Sequence, residues 1–364
     1  MYMGRLCTKS CPNGDIMPIR QPMRLPVLCA LALSLTCLQL RWCAADDAAR
    51  PNILWLTCED LSPRLGCYGD NTVPTPIIDR LASRGIRYTH AFTATGVCAP
   101  CRHTIITGLY PQQSGAQYMR TSRRSSAIEE IPDPEIKAQA KRRPLYEATP
   151  PAGVRCFTEY LRLAGYYCTN NSKQDYQFET PVTAWDESSP TAHYRNRAAG
   201  QTFCAMLNQT ATHESGIHGD GRSPRKTDPA KVSVPKFLPD TPVVRNDIAR
   251  HYDNIIALDA WIGKMLQDLE DSGLSDSTVV FFYSDHGDGL PRHKRWVYDS
   301  GTHVPMVVRV PAKFQHLVTL KRGTRTKGFV SFIDFGPTLL SLAGIDIPKQ
   351  MDGKPFLCLG ILLE

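Results

Sequence analysis

The chain has 364 residues, of which 42% are hydrophobic and 21% are charged. This balance argues against intrinsic disorder and allows one large or two ordinary domains with a substantial core. The 42 Lys and Arg residues against 35 Asp and Glu residues give a formal net charge of +7, which suits an anionic substrate. Because the sequence has no basic stripe interleaved with aromatic residues, we do not expect nucleic acid as a partner.

The N-terminus is typical of an export signal. Arg20 and Arg24 precede the apolar run LPVLCALALSLTCLQL, and the small residues CAADDAA that follow favour cleavage near Ala44 or Ala45. This run has about sixteen residues, fewer than the roughly twenty that span a bilayer. We therefore predict a signal peptide over residues 1–45, export to a periplasmic, secreted or lysosome-like compartment, and no stable membrane span.

Beyond residue 50 the pattern alternates between strands and helices. NILWLT is a continuous apolar run of the strand type, and the acidic residues Glu59 and Asp60 follow it closely. TPIIDRLASRG then predicts a helix, with Thr75 as its N-cap, Pro76 in its first turn and Gly85 as its stop signal. The first strand therefore delivers two carboxylates at its carboxyl end.

A second strand repeats this arrangement. The segment RNDIARHYDNIIALDAWIGKMLQDLEDSG keeps a helical apolar stripe and leads into STVVFFYSDHGDG, an apolar strand that ends in Asp285 and His286. Buried strands that are separated by helices predict an α/β fold with a mostly parallel central sheet flanked by helices. Functional groups of such folds lie at the carboxyl edge of the sheet, where we expect these side chains to meet.

The cysteines leave two interpretations open. Thirteen are present and eight lie beyond residue 45, too few for a small disulfide scaffold. Cys98 and Cys101, in GVCAPCRHTIITG, form a Cys-x-x-Cys pair that resembles a thioredoxin-type redox site. The remaining six are most simply buried apolar side chains or partners in an occasional disulfide: Cys58, Cys67, Cys156, Cys168, Cys204 and Cys358.

Five segments, in order and at the family's approximate spacing, resemble the formylglycine-dependent sulfatases of the alkaline phosphatase superfamily. They are PNILWLTCED, TPIIDRLASRGIRYTHAF, GVCAPCRHTIITGLYP, SDHGDG and DSGTHVPMVVRVP. A further stretch, VPKFLPDTPVVRNDIARHYDNIIALDAWIG, is similar to the heparan N-sulfatase (sulfamidase) branch. The resemblance implies an alkaline phosphatase-like fold and a sulfatase catalytic domain over residues 50–350. It leaves residues 351–364 as the truncated start of a C-terminal subdomain.

The resemblance also implies a nucleophile. In this family the cysteine of Cys-x-Pro-x-Arg, here Cys98, is converted by a formylglycine-generating maturation enzyme into an aldehyde that hydrates to a diol. One diol oxygen attacks sulfur as the alcohol or amine leaves, and the resulting hemiacetal sulfate collapses back to the aldehyde and releases sulfate. The substrate would be a sulfate ester or sulfamate of a sulfated carbohydrate. Cys101 replaces the family's usual Ser, so a disulfide between Cys98 and Cys101 could compete with maturation.

By the same resemblance, a divalent metal completes the site. The matching ligands are Glu59, Asp60, Asp285 and His286, together with residue 98, and the many oxygen atoms favour Ca²⁺ over zinc. Two of these positions depart from the family pattern. The family usually has Asp at the position of Glu59, and it has Asn more often than His at position 286.

Four further positions match catalytic residues of the family. Arg102 completes the maturation motif, and Lys173 and Lys294 match the two lysines that contact the ester. His213 matches the histidine near the leaving group and is a candidate general acid. Asp175 stands where the family has a second histidine, so the base that regenerates the aldehyde would be a carboxylate or another group. Each residue also has a structural interpretation, such as a surface lysine or a solvated turn.

Two functional alternatives and one loop complete the predictions. A phosphodiesterase or phosphonate hydrolase of the same superfamily would use a similar site. An unmatured chain would be a catalytically inert protein that binds sulfated glycans. Residues 121–153 are charged and rich in proline, which predicts an exposed loop with a short helix on the substrate side.

Overall fold

The computed structural model describes residues 50–119, 131–142, 147–171, 173–217 and 225–357. The predicted signal peptide lies outside these residues, as do parts of the predicted loop and Cys358. Among the described residues, no helix is both long enough and apolar enough to cross a membrane.

One sheet of eight strands organises the described part of the chain. Its spatial order is β4-β3-β5-β1-β6-β7-β2-β8. In chain order the strands are β1 Asn52–Cys58, β2 Ile86–Phe92, β3 Tyr167–Asn170, β4 Glu187–Ser188, β5 Phe203–Gln209, β6 Thr278–Ser284, β7 His303–Arg309 and β8 Arg325–Ser331.

Helices cover both faces of this sheet. The α-helices are α1 Pro76–Arg84, α2 Cys98–Thr107, α3 Pro134–Arg142, α4 Phe157–Leu163, α5 Pro242–Asp271, α6 Asp299–Thr302 and α7 Phe335–Leu342. Short 3₁₀ helices lie at Gly66–Tyr68, Pro111–Ser114, Tyr194–Asn196, Glu214–Gly216, Pro229–Lys231, Ser275–Ser277, Ala312–Leu317 and Phe332–Asp334.

The central strands are parallel, as the sequence predicts. β1 pairs in parallel with β5 on one side and with β6 on the other, and β3 continues the parallel set beyond β5. β7 is the antiparallel member, because it runs opposite to both β6 and β2. The mostly parallel α/β prediction is confirmed, with this one reversed strand inserted in the sheet.

Side chains alternate between the two faces of the sheet along each strand, and this produces two hydrophobic cores. In β1, Ile53 and Trp55 face one core while Leu54 and Leu56 face the other, and all four are fully buried. Successive strand residues point to opposite faces, so a strand covered by helices on both sides must be apolar throughout. Helices α2, α4 and α7 contribute buried residues to the first core, whereas α1 and α5 contribute to the second.

The first predicted helix has the expected length, but its two ends are not stabilised as predicted. Thr75 is the N-cap of α1, yet its side chain does not cap the helix. Its hydroxyl instead accepts from Gly66 N–H at 3.0 Å and donates to Asp79 Oδ1 at 3.1 Å. Gly85 ends the helix with extended backbone, and a Cβ there would come within 2.9 Å of the Val308 carbonyl oxygen. Close packing on β7, rather than left-handed backbone, therefore requires this glycine.

Two peripheral segments bear on the sequence predictions. Helix α3 supplies the short helix expected in the loop at 121–153, and none of its residues is buried. Residues 351–357 pack on the main core, where the Phe356 ring lies 5.4 Å from the Tyr88 ring and 5.9 Å from the Phe335 ring. The proposed domain boundary after residue 350 stays a prediction.

Candidate active site

The site lies at the carboxyl ends of β1 and β6. Cys58 and Ser284 are paired in register at the ends of these strands, so the residues that follow them enter the same space. Asp60 N–H donates to Asp285 Oδ1 at 3.2 Å, which ties the two acidic loops together. Asp60 has left-handed backbone with φ 50, an uncommon conformation for a residue with a side chain. The predicted meeting of the acidic strand ends is what the fold produces.

Cys98 is the first residue of α2 and faces these carboxylates. The N-cap residue Val97 makes no side-chain cap, so the positive end of the helix dipole is directed at the thiol. Cys98 Sγ lies 3.2 Å from His286 Nε2. Burial by itself raises the pKa of the Cys98 thiol, but the imidazolium of His286 lowers it, and the pKa settles at about 7. The thiol is therefore partly ionised at neutral pH.

The ligand atoms form two overlapping groups that share Cys98. Glu59, Asp60, Cys98 and His213 make up one group, and the other consists of Cys98 with Asp285 and His286. Within each group the ligand atoms lie within 4.8 Å of one another. These contacts bring together all five residues that the sequence analysis assigned to a metal.

Two details of these side chains fit a bound cation. His286 Nδ1 lies 2.9 Å from the Gly287 carbonyl oxygen, so Nδ1 carries a proton, and a bound cation would take the place of the proton on Nε2. Glu59 Oε1 is buried and has no hydrogen-bond partner. Burial alone raises the pKa of Asp285, but the cations His286 and Arg102 lower it well below its usual range, so the carboxylate is ionised. Arg102 Nη2 lies 3.7 Å from Glu59 Oε1, too far for a hydrogen bond, so a bound cation would satisfy this oxygen more fully.

Arg102 and Lys173 hold the outer side of this cluster. Arg102 is almost fully buried and donates through Nε to Asp285 Oδ2 at 3.2 Å and through Nη1 to Asn208 Oδ1 at 2.9 Å. Lys173 Nζ lies 2.7 Å from Glu59 Oε2. Both cations therefore contact the carboxylates that surround Cys98, and their catalytic roles stay predictions.

Lys294 and His213 complete the cationic side of the site. Lys294 Nζ donates to Asp60 Oδ2 at 2.9 Å and lies 3.2 Å from His213 Nε2. Ser215 N–H donates to His213 Nδ1, so the proton of the neutral ring is on Nε2. Lys294 cannot donate to a protonated Nε2, so this N–H is directed at Cys98 and at Glu59 Oε2, which is 3.8 Å away. Hydrogen bonding to Cys98 raises the pKa of His213 against the effect of burial.

Two predicted positions differ from the rest. Cys101 Sγ donates to the Asp285 carbonyl oxygen at 2.8 Å, and the seven described cysteines are free thiols. Cys101 thus fills the place of the family's Ser as a buried hydrogen-bond donor. Asp175 has left-handed backbone with φ 58, and its carboxylate belongs to neither of the ligand groups around Cys98. Its role as a base stays a prediction.

Sequence reasoning missed several residues that hold the site. Glu214 accepts a bidentate pair from Arg295, at 2.7 and 2.9 Å, and its own N–H donates to Asp60 Oδ2 at 2.7 Å. Asn208, at the end of β5, accepts from Arg102. Asp288 lies fully buried two residues after His286. The second acid of SDHGDG was a sequence signal for Asp288, whereas Glu214 and Asn208 stand in stretches without a motif.

Comparison with known proteins agrees with this geometry. The family model described as Sulfatase matches residues 51–345. The chain is 42% identical over 343 residues to an ulvan-active sulfatase of Formosa agariphila, covering 85% of this chain and 54% of that protein. It is 28% identical to human N-sulphoglucosamine sulphohydrolase, covering 89% of this chain and 65% of that protein. The chain therefore spans between half and two thirds of these two relatives.

Solved structures show the same fold at low sequence identity. One was determined in complex with its substrate D-glucosamine-2-N,6-O-disulfate, has a TM-score of 0.60 and is 18% identical, covering 84% of this chain and 79% of the other. Another is a phosphonate monoester hydrolase from Silicibacter pomeroyi, with a TM-score of 0.63 and 17% identity, covering 84% and 76%. Together with the family match over most of the chain, these likenesses confirm the prediction from the five sequence segments. The chain belongs to the sulfatase family.

Proposed function

We propose that this protein is a sulfatase that releases sulfate from esters or sulfamates of a sulfated carbohydrate. The observation that carries the proposal is the position of Cys98. It heads a helix, touches His286 and shares its surroundings with three carboxylates and four basic side chains. An anionic group that enters this space meets the nucleophile and the cations together.

The nucleophile we propose is formylglycine made from Cys98 by a formylglycine-generating enzyme. Its partner is one Ca²⁺ ion, which Glu59, Asp60, Asp285, His286 and residue 98 would hold. The prevalence of oxygen ligands favours Ca²⁺, and the unpartnered Glu59 Oε1 supports a cation in this place. The hydrated aldehyde supplies the attacking hydroxyl, and the ion lowers its pKa and draws charge from the sulfate oxygens.

The chain's own groups then have distinct tasks. Lys173 and Lys294, each held by a carboxylate, neutralise charge on the sulfate oxygens as the bond to the leaving group lengthens. His213 donates its Nε2 proton to the departing oxygen or nitrogen. Arg102 is fixed by Asp285 and Asn208 and keeps the cluster in place around residue 98. Asp175 is the proposed base for regenerating the aldehyde, on the ground that it follows Lys173 by two residues.

Sulfate release tests this proposal. The chain is co-expressed with a formylglycine-generating enzyme and assayed on 4-methylumbelliferyl sulfate and on ulvan, with Ca²⁺ or with EDTA. We expect Ca²⁺-dependent release that Cys98→Ala abolishes. Cys67→Ser is the matched control, because Cys67 lies beside Asp79 in a separate pocket and its loss leaves the site intact. Mass spectrometry of the peptide with Cys98 reports the aldehyde directly.

Other outcomes would assign the chain differently. Faster turnover of a phosphodiester or phosphonate monoester than of the sulfate would favour the hydrolases of that class. A disulfide between Cys98 and Cys101 with no aldehyde, together with ulvan binding, would favour an inert glycan-binding protein. We also propose that the protein is exported, for which the apolar segment after Arg24 is the support.

A further inference from the structure

An exposed aromatic cluster lies next to the candidate site. Trp296 is 51% exposed, Tyr298 is 45% exposed and Phe237 is 41% exposed, while most large apolar side chains of the described residues are buried. The Trp296 and Tyr298 rings are nearly parallel, at 20°, with centroids 6.1 Å apart. Grouped exposed aromatic side chains of this kind mark binding surfaces more often than single ones do.

One arginine joins these rings into a continuous surface. The Arg292 guanidinium carbon lies 4.3 Å from the Tyr298 ring centroid and 4.9 Å from the Phe237 ring centroid. Both distances are within the range of cation–π attraction. Among the residues that the structure describes, no carboxylate lies within ion-pair distance of Arg292, whose guanidinium contacts the two rings instead. We call Phe237, Arg292, Trp296 and Tyr298 the aromatic platform.

The platform shares its backbone with the catalytic residues. Lys294, between Arg292 and Trp296, reaches Asp60 and His213 inside the site. Arg295 N–H donates to the Gly96 carbonyl oxygen at 2.6 Å, two residues before Cys98. A Cβ at Gly96 would come within 2.6 Å of the Trp296 carbonyl oxygen. The platform therefore belongs to the segment that carries Lys294 into the site and packs against the residues before Cys98.

We propose that the aromatic platform binds an acidic sugar that neighbours the sulfated one in the same glycan chain. The C–H face of a pyranose ring packs on the exposed ring faces, and Arg292 pairs with the carboxylate of that sugar. This inference rests on the proposed function, and it adds that the enzyme selects polymeric acidic glycans over small sulfate esters.

The test separates binding from turnover. Binding of ulvan and of carboxyl-reduced ulvan to the Cys98→Ala chain is measured by calorimetry, with and without Trp296→Ala or Arg292→Gln. Phe329→Ala is the control, because Phe329 is 61% exposed on β8 and stacks on Phe92 instead. We expect Trp296→Ala to weaken ulvan binding about tenfold or more, and Phe329→Ala to leave it unchanged. Arg292→Gln should weaken binding of ulvan but not of its carboxyl-reduced form.

Kinetics of the matured enzyme complete the test. Trp296→Ala should lower kcat/KM on ulvan through KM, while kcat/KM on 4-methylumbelliferyl sulfate stays within about twofold. Equal losses of kcat/KM on both substrates, or unchanged ulvan binding, would overturn the proposal that the platform binds the glycan. So would a shift in oligomeric state on Trp296→Ala without any loss of binding, because the patch would then be a protein interface. Ulvan binding that depends on Trp296 in a matured chain that releases no sulfate would support the platform and reject the sulfatase proposal.

Discussion

Two buried carboxylate clusters follow β6 within four residues of each other, and they differ in how fully the protein satisfies them. Asp288 receives the Ser62 N–H at 2.7 Å, the Arg64 guanidinium at 2.5 Å and the ring of His251 at 3.1 Å, with His293 at 3.6 Å. Burial by itself raises the pKa of Asp288, but Arg64 and His251 hold it well below its usual range. Every oxygen of this carboxylate has protein donors.

The cluster around Cys98 is built from similar groups but is incompletely matched. Glu59 Oε1 has no hydrogen-bond partner, and Asp60 and Asp285 face Cys98 and His286 together. Glu59 Oε1 has only Arg102 Nη2 nearby, at 3.7 Å, so it can still accept a ligand or cation, whereas Asp288 has little capacity left. The two clusters therefore differ in hydrogen bonding and not in burial.

The largest effect should follow from Asp288→Asn. Donors approach both oxygens of Asp288, so in either orientation the NH₂ group of the introduced amide must face a donor. We expect the free energy of unfolding to fall by about 3–5 kcal/mol, since Arg64 also loses its buried partner. Urea denaturation measures this loss. Asp276→Asn, at a fully exposed carboxylate, should change stability by less than about 0.5 kcal/mol. Equal stabilities of the two variants would show that the hydrogen bonds to buried Asp288 add nothing to the stability of the fold.

Calcium should stabilise the chain through the second cluster. With Ca²⁺ at a hundred times its Kd, the unfolding free energy should rise by about 2.7 kcal/mol relative to EDTA. Glu59→Gln should lose most of this gain, and its stability in EDTA gives the separate cost of weakening the buried pairs with Lys173 and Arg102. Thermal melts with and without Ca²⁺ report both values. Glu135→Gln, on the exposed helix α3, should respond to Ca²⁺ as the wild type does.

A smaller effect on stability concerns the ion pair between Glu214 and Arg295 at the border of the site. The hydrogen bonds from Arg295 lower the pKa of Glu214 from 4.5 to about 2 against the effect of burial. A folded-state pKa below the unfolded one stabilises the fold above pH 4.5, and this contribution is lost as the pH falls towards 2. Urea midpoints between pH 5 and pH 3 should therefore decrease less steeply in Glu214→Gln than in the wild type. Parallel pH profiles would show that the pair contributes nothing to acid stability.

The smallest expected change is that of Cys101→Ser. A hydroxyl can still donate to the Asp285 carbonyl oxygen, so stability should change by no more than about 1 kcal/mol. The substitution also removes the thiol that could form a disulfide with Cys98. Mass spectrometry should show formylglycine at residue 98 at a yield equal to or above that of the wild type. A lower yield would mean that Cys101 assists maturation.

The strand ends were predictable from the sequence because their chemistry is local. An apolar run followed by acids predicts both a buried strand and a carboxylate at its end, so the meeting of Asp60 and Asp285 followed from parallel pairing. Lys173 and His213 stand in loops without periodicity, and only the family resemblance identified them. Their approach to Glu59 depends on tertiary packing that no local pattern encodes.

Other features could not be predicted for the same physical reason. Thr75 stands at the N-cap position, but its hydroxyl hydrogen-bonds to Gly66 N–H and Asp79 Oδ1 instead of capping the helix. The donors of Asp288 come from distant parts of the chain, among them Arg64 and His251, so its satisfied state is visible only in three dimensions. The aromatic platform likewise joins Phe237 to residues some sixty positions later.

The reversed direction of β7 has a consequence for how specificity can change. A parallel neighbour would require a crossover helix to return the chain to the starting edge of the sheet. Since β7 is antiparallel to β6, residues 285–302 leave and re-enter the sheet at one edge, with no long helix to reposition. The exposed side chains of segment 291–298 can therefore vary while Asp285 and His286 stay anchored to β6. A library confined to these side chains, with Lys294 kept, would show how far ligand preference can change around fixed strand ends.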